Sequence, residues 1–246
     1  MILPDKKDAP HRAWLYRTLT AICDNEKLSG KLCFKGGTCA AMRGFLDRFS
    51  VDLDFDFVGN KNELQSAQKK MEKIFDEIGL EIKDKSQKIP QYFLRYAAPA
   101  GKRNTLKIDM NFPPPKSNEY EPARLVEIDR IINCQTIETM FANKLVALIE
   151  RFENNGSIAG RDVYDVHFFF SNGYEYERKV IEERRNEKNL GLFFEKLIDF
   201  IEKNVTQEII DQDINMLLPI EKFHKIRKII KNETLLFLKD ELKRVD

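Results

Sequence analysis

One stretch, Asp52-Leu53-Asp54-Phe55-Asp56-Phe57, alternates acid and hydrophobe and constrains the fold more than any other. A two-residue period is that of a strand, with Val51, Leu53, Phe55 and Phe57 on one face and Asp52, Asp54 and Asp56 on the other. Aspartate is a poor strand former, and like charges on one face repel. A chain that accepts this cost three times over has use for a cation there. Oxygen-only carboxylate ligands suit Mg²⁺ or Mn²⁺, and Mg²⁺ held by one or two carboxylates usually brings substrate phosphates with it. Just upstream, Phe34-Lys35-Gly36-Gly37-Thr38 reads as a short strand broken by a glycine turn that leads into a helix. The amides of such a turn can face an anion. The two stretches together suggest a site with a phosphate half and a metal half. Neither GxxxxGK(S/T) nor GxGxxG occurs, so this is not an ordinary nucleotide-hydrolysing P-loop.

The surroundings of this pair predict a mixed α/β half. Residues 9–27 form an amphipathic helix with Pro10 near its start, and Leu32-Cys33-Phe34 forms a strand. Thr38 can cap a helix over Cys39 to Phe45, and the acidic strand spans about 50–58. A helix over 62–79 carries Leu64, Ala67, Met71, Ile74 and Phe75 on one stripe. Strands follow at 81–84, 92–97 and 104–112, closed by Pro113-Pro114-Pro115, with a last strand at Arg124 to Ile128. From about residue 136 the pattern is helical throughout: 136–152, 161–170, 175–186, 190–203, 206–217 and 221–243. The boundary falls near residue 132, giving an α/β domain over 1–132 and a helical domain over 133–246.

Composition narrows the partners. Lys and Arg number 41 against 40 Asp and Glu, a net charge of +1, so no global basic field points to DNA, and an RNA contact would have to be local. Four cysteines (Cys23, Cys33, Cys39, Cys134) show no zinc spacing and read as buried free thiols. No signal-peptide h-region and no membrane-length apolar run is present, which predicts a cytoplasmic protein with no membrane partner.

Other residues extend the site. Alternation in Lys107-Ile108-Asp109-Met110-Asn111-Phe112 puts Lys107, Asp109 and Asn111 on one face. If this strand lies near the acidic one, Asp109 becomes a third carboxylate beside Asp52 and Asp54, as in two-metal phosphoryl or nucleotidyl transfer. A solvated edge strand is the alternative. In the helical half, Lys144, Ala147 and Arg151 share a face, either a phosphate contact or a solvated surface. Arg161, Asp162 and Asp165 follow at the start of the next helix, where Asp162 can cap and both acids can join a charge network. His167 reads as a packed core histidine, and neither His11 nor His224 lies in a nucleophile pattern.

In this order the pieces resemble the AbiEii-type nucleotidyltransferase family, toxins of bacterial abortive-infection (type IV) toxin–antitoxin systems. The glycine turn Gly36-Gly37-Thr38 and the run Arg48-Phe49-Ser50-Val51-Asp52-Leu53-Asp54-Phe55 match its first element. Lys107-Ile108-Asp109 matches its Lys-x-Asp, and Lys144, Ala147 and Arg151 match its K-x-x-A-x-x-x-R. Arg161-Asp162 and Asp165 match its R-D-x-x-D. The resemblance implies a polymerase-beta-like nucleotidyltransferase fold with a mixed sheet, followed by an all-α helical bundle, with the active site between them. It implies transfer of a nucleotide from an NTP, with GTP preferred or bound by some relatives, to an acceptor such as the 3′ end of tRNA, and a cognate antitoxin. Asp52, Asp54 and Asp109 would hold the metal and, with Lys144 and Asp162, carry the chemistry. Lys35, Gly36, Gly37, Thr38, Ser50, Lys107, Lys144, Arg151, Arg161 and Asp165 would bind substrate. Asp56, which no motif requires, is expected to be a solvated or supporting carboxylate. A protein acceptor, or a non-catalytic nucleotide-binding or protein-interaction module, remain the alternatives.

Overall fold

The computed structural model describes residues 1–86 and 90–245. The chain divides into two compact units, one of Met1–Pro114 with Glu119–Thr136, the other of Pro115–Asn118 with Ile137–Asp246.

The first unit is built on a seven-stranded mixed sheet, as the expected α/β half requires. Its strands are β1 (Leu32–Lys35), β2 (Asp52–Phe57), β3 (Glu81–Ser86), β4 (Gln91–Arg95), β5 (Thr105–Asn111), β6 (Tyr120–Leu125) and β7 (Arg130–Gln135), in the spatial order β3-β4-β5-β2-β1-β7-β6. The acidic strand β2 is thus central, antiparallel to β1 and parallel to β5. Its apolar face is closed: Leu53, Phe55 and Phe57 are fully buried, as are Ile108 and Leu106 on β5. Burial of such a face is the main favourable term in the unit's folding. The helices α1 (Ala9–Cys23), α2 (Glu26–Ser29), α3 (Gly36–Met42) and α4 (Lys61–Glu77) complete it. The predicted stripe on α4 is buried in full, and Asn60 with Glu63 forms a capping box at its start.

Some expectations need correction. The helix over 9–27 stops at Cys23, because the Asn25 side chain accepts from Lys27 N–H and starts α2 instead. Thr38 caps nothing: α3 begins at Gly36, two residues before it. The strand expected at Arg124 to Ile128 is the end of β6 and a turn with Asp129 at φ 49°, and β7 follows it. β7 escapes a reading by hydropathy because Ile131 on its outer face is exposed while Ile132 and Cys134 are buried.

The second unit is all helix: α5 (Ile137–Asn155), α6 (Gly160–Ser171), α7 (Arg178–Arg185), α8 (Leu190–Asn204), α9 (Gln207–Ile214), α10 (Ile220–Ile226) and α11 (Ile230–Val245). The helix expected over 221–243 is therefore two. Aromatic rings fill the core, with Phe141 edge-on to Phe169 and Phe170 at centroid distances of 5.1 and 4.7 Å. His167 is buried and hydrogen-bonds Glu233 through Nε2 at 2.7 Å, the packed histidine expected. The four thiols are free, and burial pushes those of Cys23 and Cys33 up to about 12, far from the thiolate a nucleophile needs. No helix among the described residues is long and apolar enough to cross a membrane.

Candidate active site

In the first unit the strand order brings the predicted residues together at one end of β2. Because β2 and β5 run parallel, Asp54 stands beside Asp109 and Asp52 beside Lys107. Lys35, the last residue of β1, lies opposite Asp54. The glycine turn follows directly and is fitted against the acids. Gly36 has φ 76°, a left-handed conformation that favours glycine, and a Cβ there would fall on the Asp54 carboxylate. A Cβ on Gly37 would lie 2.7 Å from the Arg48 guanidinium and 3.0 Å from Ser50 Oγ. Two glycines are needed because acid closes in from one side and Arg48 with Ser50 from the other. No side chain caps the N terminus of α3.

The segment entering β2 is held from three directions. Thr38 Oγ1 donates to the Asp52 carbonyl at 2.5 Å. Buried Arg48 donates to the Phe49 carbonyl at 2.9 Å. Buried His11, from α1, donates through Nε2 to the Val51 carbonyl at 2.9 Å, which leaves Nδ1 to accept from Tyr96 Oη at 2.7 Å. Burial pushes the His11 imidazole down to about 4, against the hydrogen bond to Val51. The sequence offered no sign of this role, since His11 and its partners are far apart in the chain.

The carboxylates differ in what surrounds them. Asp52 and Asp54 are half-buried. Asp109 is also half-buried, and it receives Gln91 Nε2 and Lys107 Nζ, each at 2.5 Å. Asp56 is completely buried, which rules out the solvated reading. It pairs with Lys35 at 2.6 Å and accepts from Tyr120 Oη at 2.8 Å and Gln135 Nε2 at 2.7 Å. Lys35, expected at substrate, thus has its ammonium on Asp56, a supporting carboxylate that ties β1, β2, β6 and β7 together.

The donor set fits a hard divalent cation. Among the described residues no three His, Cys, Asp or Glu side chains form a ready-made metal cage. Mg²⁺ asks for less, since one or two carboxylates, waters and substrate phosphates complete its octahedron. Asp52 and Asp54 can supply the carboxylates, and Asp109, whose two oxygens accept from Gln91 and Lys107, keeps lone pairs with which it can join them.

The second unit has its own cluster. Asp162 and Asp165 on α6 are completely buried and face Lys144 on α5 at 2.7 and 2.9 Å. Arg151, about two turns along the same face of α5 from Lys144, reaches Asp162 at 3.1 Å and keeps 37% of its side chain exposed. Burial works to raise the Asp162 pKa, but Lys144 and then Arg151 prevail and hold it well below the usual carboxylate range. Asp162 is not the helix cap it could have been: Ala159 is the N-cap residue, with no side-chain cap. Gly160 is required by packing, since a Cβ would lie 2.6 Å from the Ile209 carbonyl. Arg161, beside Asp162, is half-buried.

The model of the AbiEii nucleotidyl transferase toxin family of type IV toxin–antitoxin systems matches residues 17–220. The chain belongs to that family. Solved structures agree on the fold. A candidate nucleotidyltransferase from H. pylori is 19% identical, covering 98% of this chain and 99% of its own with a TM-score of 0.58. JHP933 from Helicobacter pylori is also 19% identical, with 99% and 95% covered and a TM-score of 0.56. MenT4, a nucleotidyltransferase toxin from Mycobacterium tuberculosis H37Rv, is 15% identical, with 97% and 87% covered and a TM-score of 0.57. A comparison with curated proteins gives no match. As an AbiEii-family member the chain is a nucleotidyltransferase, with an NTP as substrate and a toxin's antitoxin as the partner its family implies.

Proposed function

We propose that this AbiEii-family enzyme transfers a nucleotide from an NTP, GTP among the candidates, to an RNA hydroxyl, the 3′ end of tRNA being the leading acceptor. It acts as a cytoplasmic toxin restrained by a cognate antitoxin. The observation that carries the reading is the pairing of Asp54 with Asp109 beside a glycine turn whose Gly36 has no room for a side chain.

In this reading the turn Gly36-Gly37-Thr38 offers backbone N–H donors to the triphosphate, and Ser50 its hydroxyl. Asp52 and Asp54 would hold Mg²⁺ or Mn²⁺, which when bound neutralises phosphate charge and polarises the phosphorus under attack. Asp109 takes the proton of the acceptor hydroxyl as its oxygen bonds to the α-phosphorus and pyrophosphate leaves. Gln91 and Lys107 fix the orientation of that carboxylate. Lys144, Arg151, Arg161, Asp162 and Asp165 form the second set of site residues. Within it Arg151 has the exposure to meet a phosphate, and the two carboxylates orient Lys144 and Arg151.

The test is to incubate the protein with each of four radiolabelled NTPs, with Mg²⁺, Mn²⁺ or chelator, and with total RNA, purified tRNA or cell protein. Metal-dependent label at a tRNA 3′ end is the expected result. Label confined to protein would replace the acceptor, and label that survives chelation would remove the metal.

A further inference from the structure

Arg95, Arg124 and Arg130 of the first unit each hold a carboxylate, at 3.9, 2.6 and 2.5 Å. Arg17, exposed on α1, instead lays its guanidinium over the ring of Trp14, 4.9 Å from the centroid. Trp14 is half-buried and stacks in turn on Tyr96, with centroids 5.4 Å apart and planes 26° apart. Buried Tyr96 continues the series to His11, its ring 5.8 Å away and its Oη on Nδ1 at 2.7 Å. His11 holds the Val51 carbonyl, just before Asp52. A ladder of stacked rings thus runs from an exposed guanidinium inward to the start of the acidic strand. At an exposed site a cation on an aromatic face contributes only about 0.5–1 kcal/mol, so stability alone is a weak reason for it.

The β4–β5 loop reaches the same place. Tyr96 N–H donates to the Asn104 carbonyl at 3.0 Å, directly after the last β4–β5 pair, Arg95 with Thr105. Lys102 and Arg103 lie exposed in that loop, next to Gly101 at φ 74°. Among the described residues no carboxylate comes within ion-pair distance of Arg17, Lys102 or Arg103. Lys107, which stands beside Asp52, is three residues along the chain from Asn104, about 10 Å of strand. The ladder, the loop and the carboxylates therefore share one end of the sheet. In a chain of net charge +1 an RNA contact has to be local, and here cations without acids surround a planar stack.

We propose that this surface receives the single-stranded 3′ end of the RNA acceptor, with a base on the Arg17–Trp14 pair and backbone phosphates on Lys102 and Arg103. The assignment rests on RNA being the acceptor and adds where that RNA is held. Unpaired bases stack on aromatic rings and guanidinium planes whatever their sequence, and lysine and arginine take the phosphates between them. Arg17 keeps its N–H donors for the ligand, because its contact with Trp14 uses only its face.

Trp14 is the chain's one tryptophan, so its emission reports on this place alone. The full-length protein is titrated, without NTP, with a short single-stranded RNA while tryptophan emission is followed. The same RNA carrying fluorescein gives binding by anisotropy. Quenching that saturates together with the anisotropy is the expected result. Arg17→Ala should weaken binding about tenfold, the scale of one stacked base. Arg17→Lys keeps the charge and loses the plane, so it should recover little of that loss. Lys102→Ala with Arg103→Ala should lower the slope of log affinity against log salt by about 1.4, the value for two phosphates on a single strand. These variants should melt within about 2 °C of the parent, since exposed cations carry little stability. RNA that binds without changing Trp14 emission, that binds Arg17→Ala as it binds the parent, or that does not bind at all would overturn the assignment, even with a tRNA 3′ end labelled in the transfer assay. Quenching that Arg17→Ala removes supports it, and label confined to protein would then overturn the acceptor reading by itself.

Discussion

Asp54 and Asp162 are both aspartates in carboxylate clusters, yet the fold treats them in opposite ways. Asp54 is half-buried on a central strand, against a glycine turn and beside a second carboxylate. Asp162 is completely buried between Lys144 and Arg151. A carboxylate in contact with water can exchange its partners for a ligand at small cost. One buried with its cations cannot, because separating the pair strands a charge in a poorly solvated interior. The first cluster is therefore the one we propose for chemistry, and the second the one we propose to hold cationic side chains in place. Substitutions should separate activity from stability along this line.

The largest effect is expected at the strand. Asp52→Ala with Asp54→Ala should lower nucleotide transfer by about 10³-fold or more, the scale on which removing transition-state stabilisation acts. Thermal melting should move by only a few degrees. Single-turnover labelling and calorimetry on the same sample check both halves. A double variant that keeps its activity would break the comparison at its catalytic end.

Next is Asp162→Ala, which takes one carboxylate from Lys144 and removes the Arg151 contact. Breaking a buried pair costs about 3–5 kcal/mol. In a chain of this size that is a fall of roughly 10 °C in melting temperature. The pH dependence has a definite sign. A carboxylate held below its unfolded value contributes stability above that value, 3.8, and loses it as pH falls toward the folded one. The parent should therefore lose stability steeply below about pH 4, and Asp162→Ala less steeply. Equal acid limbs in urea titrations would show that Asp162 carries no such charge.

How much of this was legible in the chain depends on how local each signal is. The alternation of β2 and β5 and the stripe of α4 are written in consecutive residues, so the strands, the helix and the likeness of Asp52, Asp54 and Asp109 to one another could be read directly. That Asp109 stands beside Asp54 could only be posed as a condition, because strand pairing is set by topology. The burial of Asp56 was illegible: its partners Lys35, Tyr120 and Gln135 come from three other strands. Asp162 read equally well as a helix cap, and only the packing of α5 on α6 assigns its carboxylate to Lys144.

His11 belongs with these non-local features, and its effect is smaller. Its folded pKa of about 4 lies below the unfolded 6.5, so between those values the unfolded chain takes up a proton that the native state refuses. Stability is complete above 6.5 and falls as pH drops toward 4. From pH 6.5 to 5 the loss is about 2 kcal/mol, at 1.36 kcal/mol per unit. The His11→Gln variant can still donate to the Val51 carbonyl but has nothing to titrate, so its stability should change less over this range. Subtracting its urea-unfolding curve from the parent's removes the shared carboxylate contribution.

The smallest effect isolates geometry from charge. Thr38 Oγ1 binds the Asp52 carbonyl, not its carboxylate, so it can influence the metal half only through the backbone. Thr38→Val keeps the shape and removes one hydrogen bond, worth about 1 kcal/mol in stability. If the start of β2 must be held for Asp52 to work, Thr38→Val should also lower the transfer rate several-fold, and Thr38→Ser should restore most of it. The corresponding loss of a polar contact in the helical unit, Thr234→Val, should cost similar stability and leave the rate alone, because Thr234 Oγ1 donates only to the Ile230 carbonyl within α11. Equal rates for the two valine variants would mean that the strand positions Asp52 without help from the glycine turn.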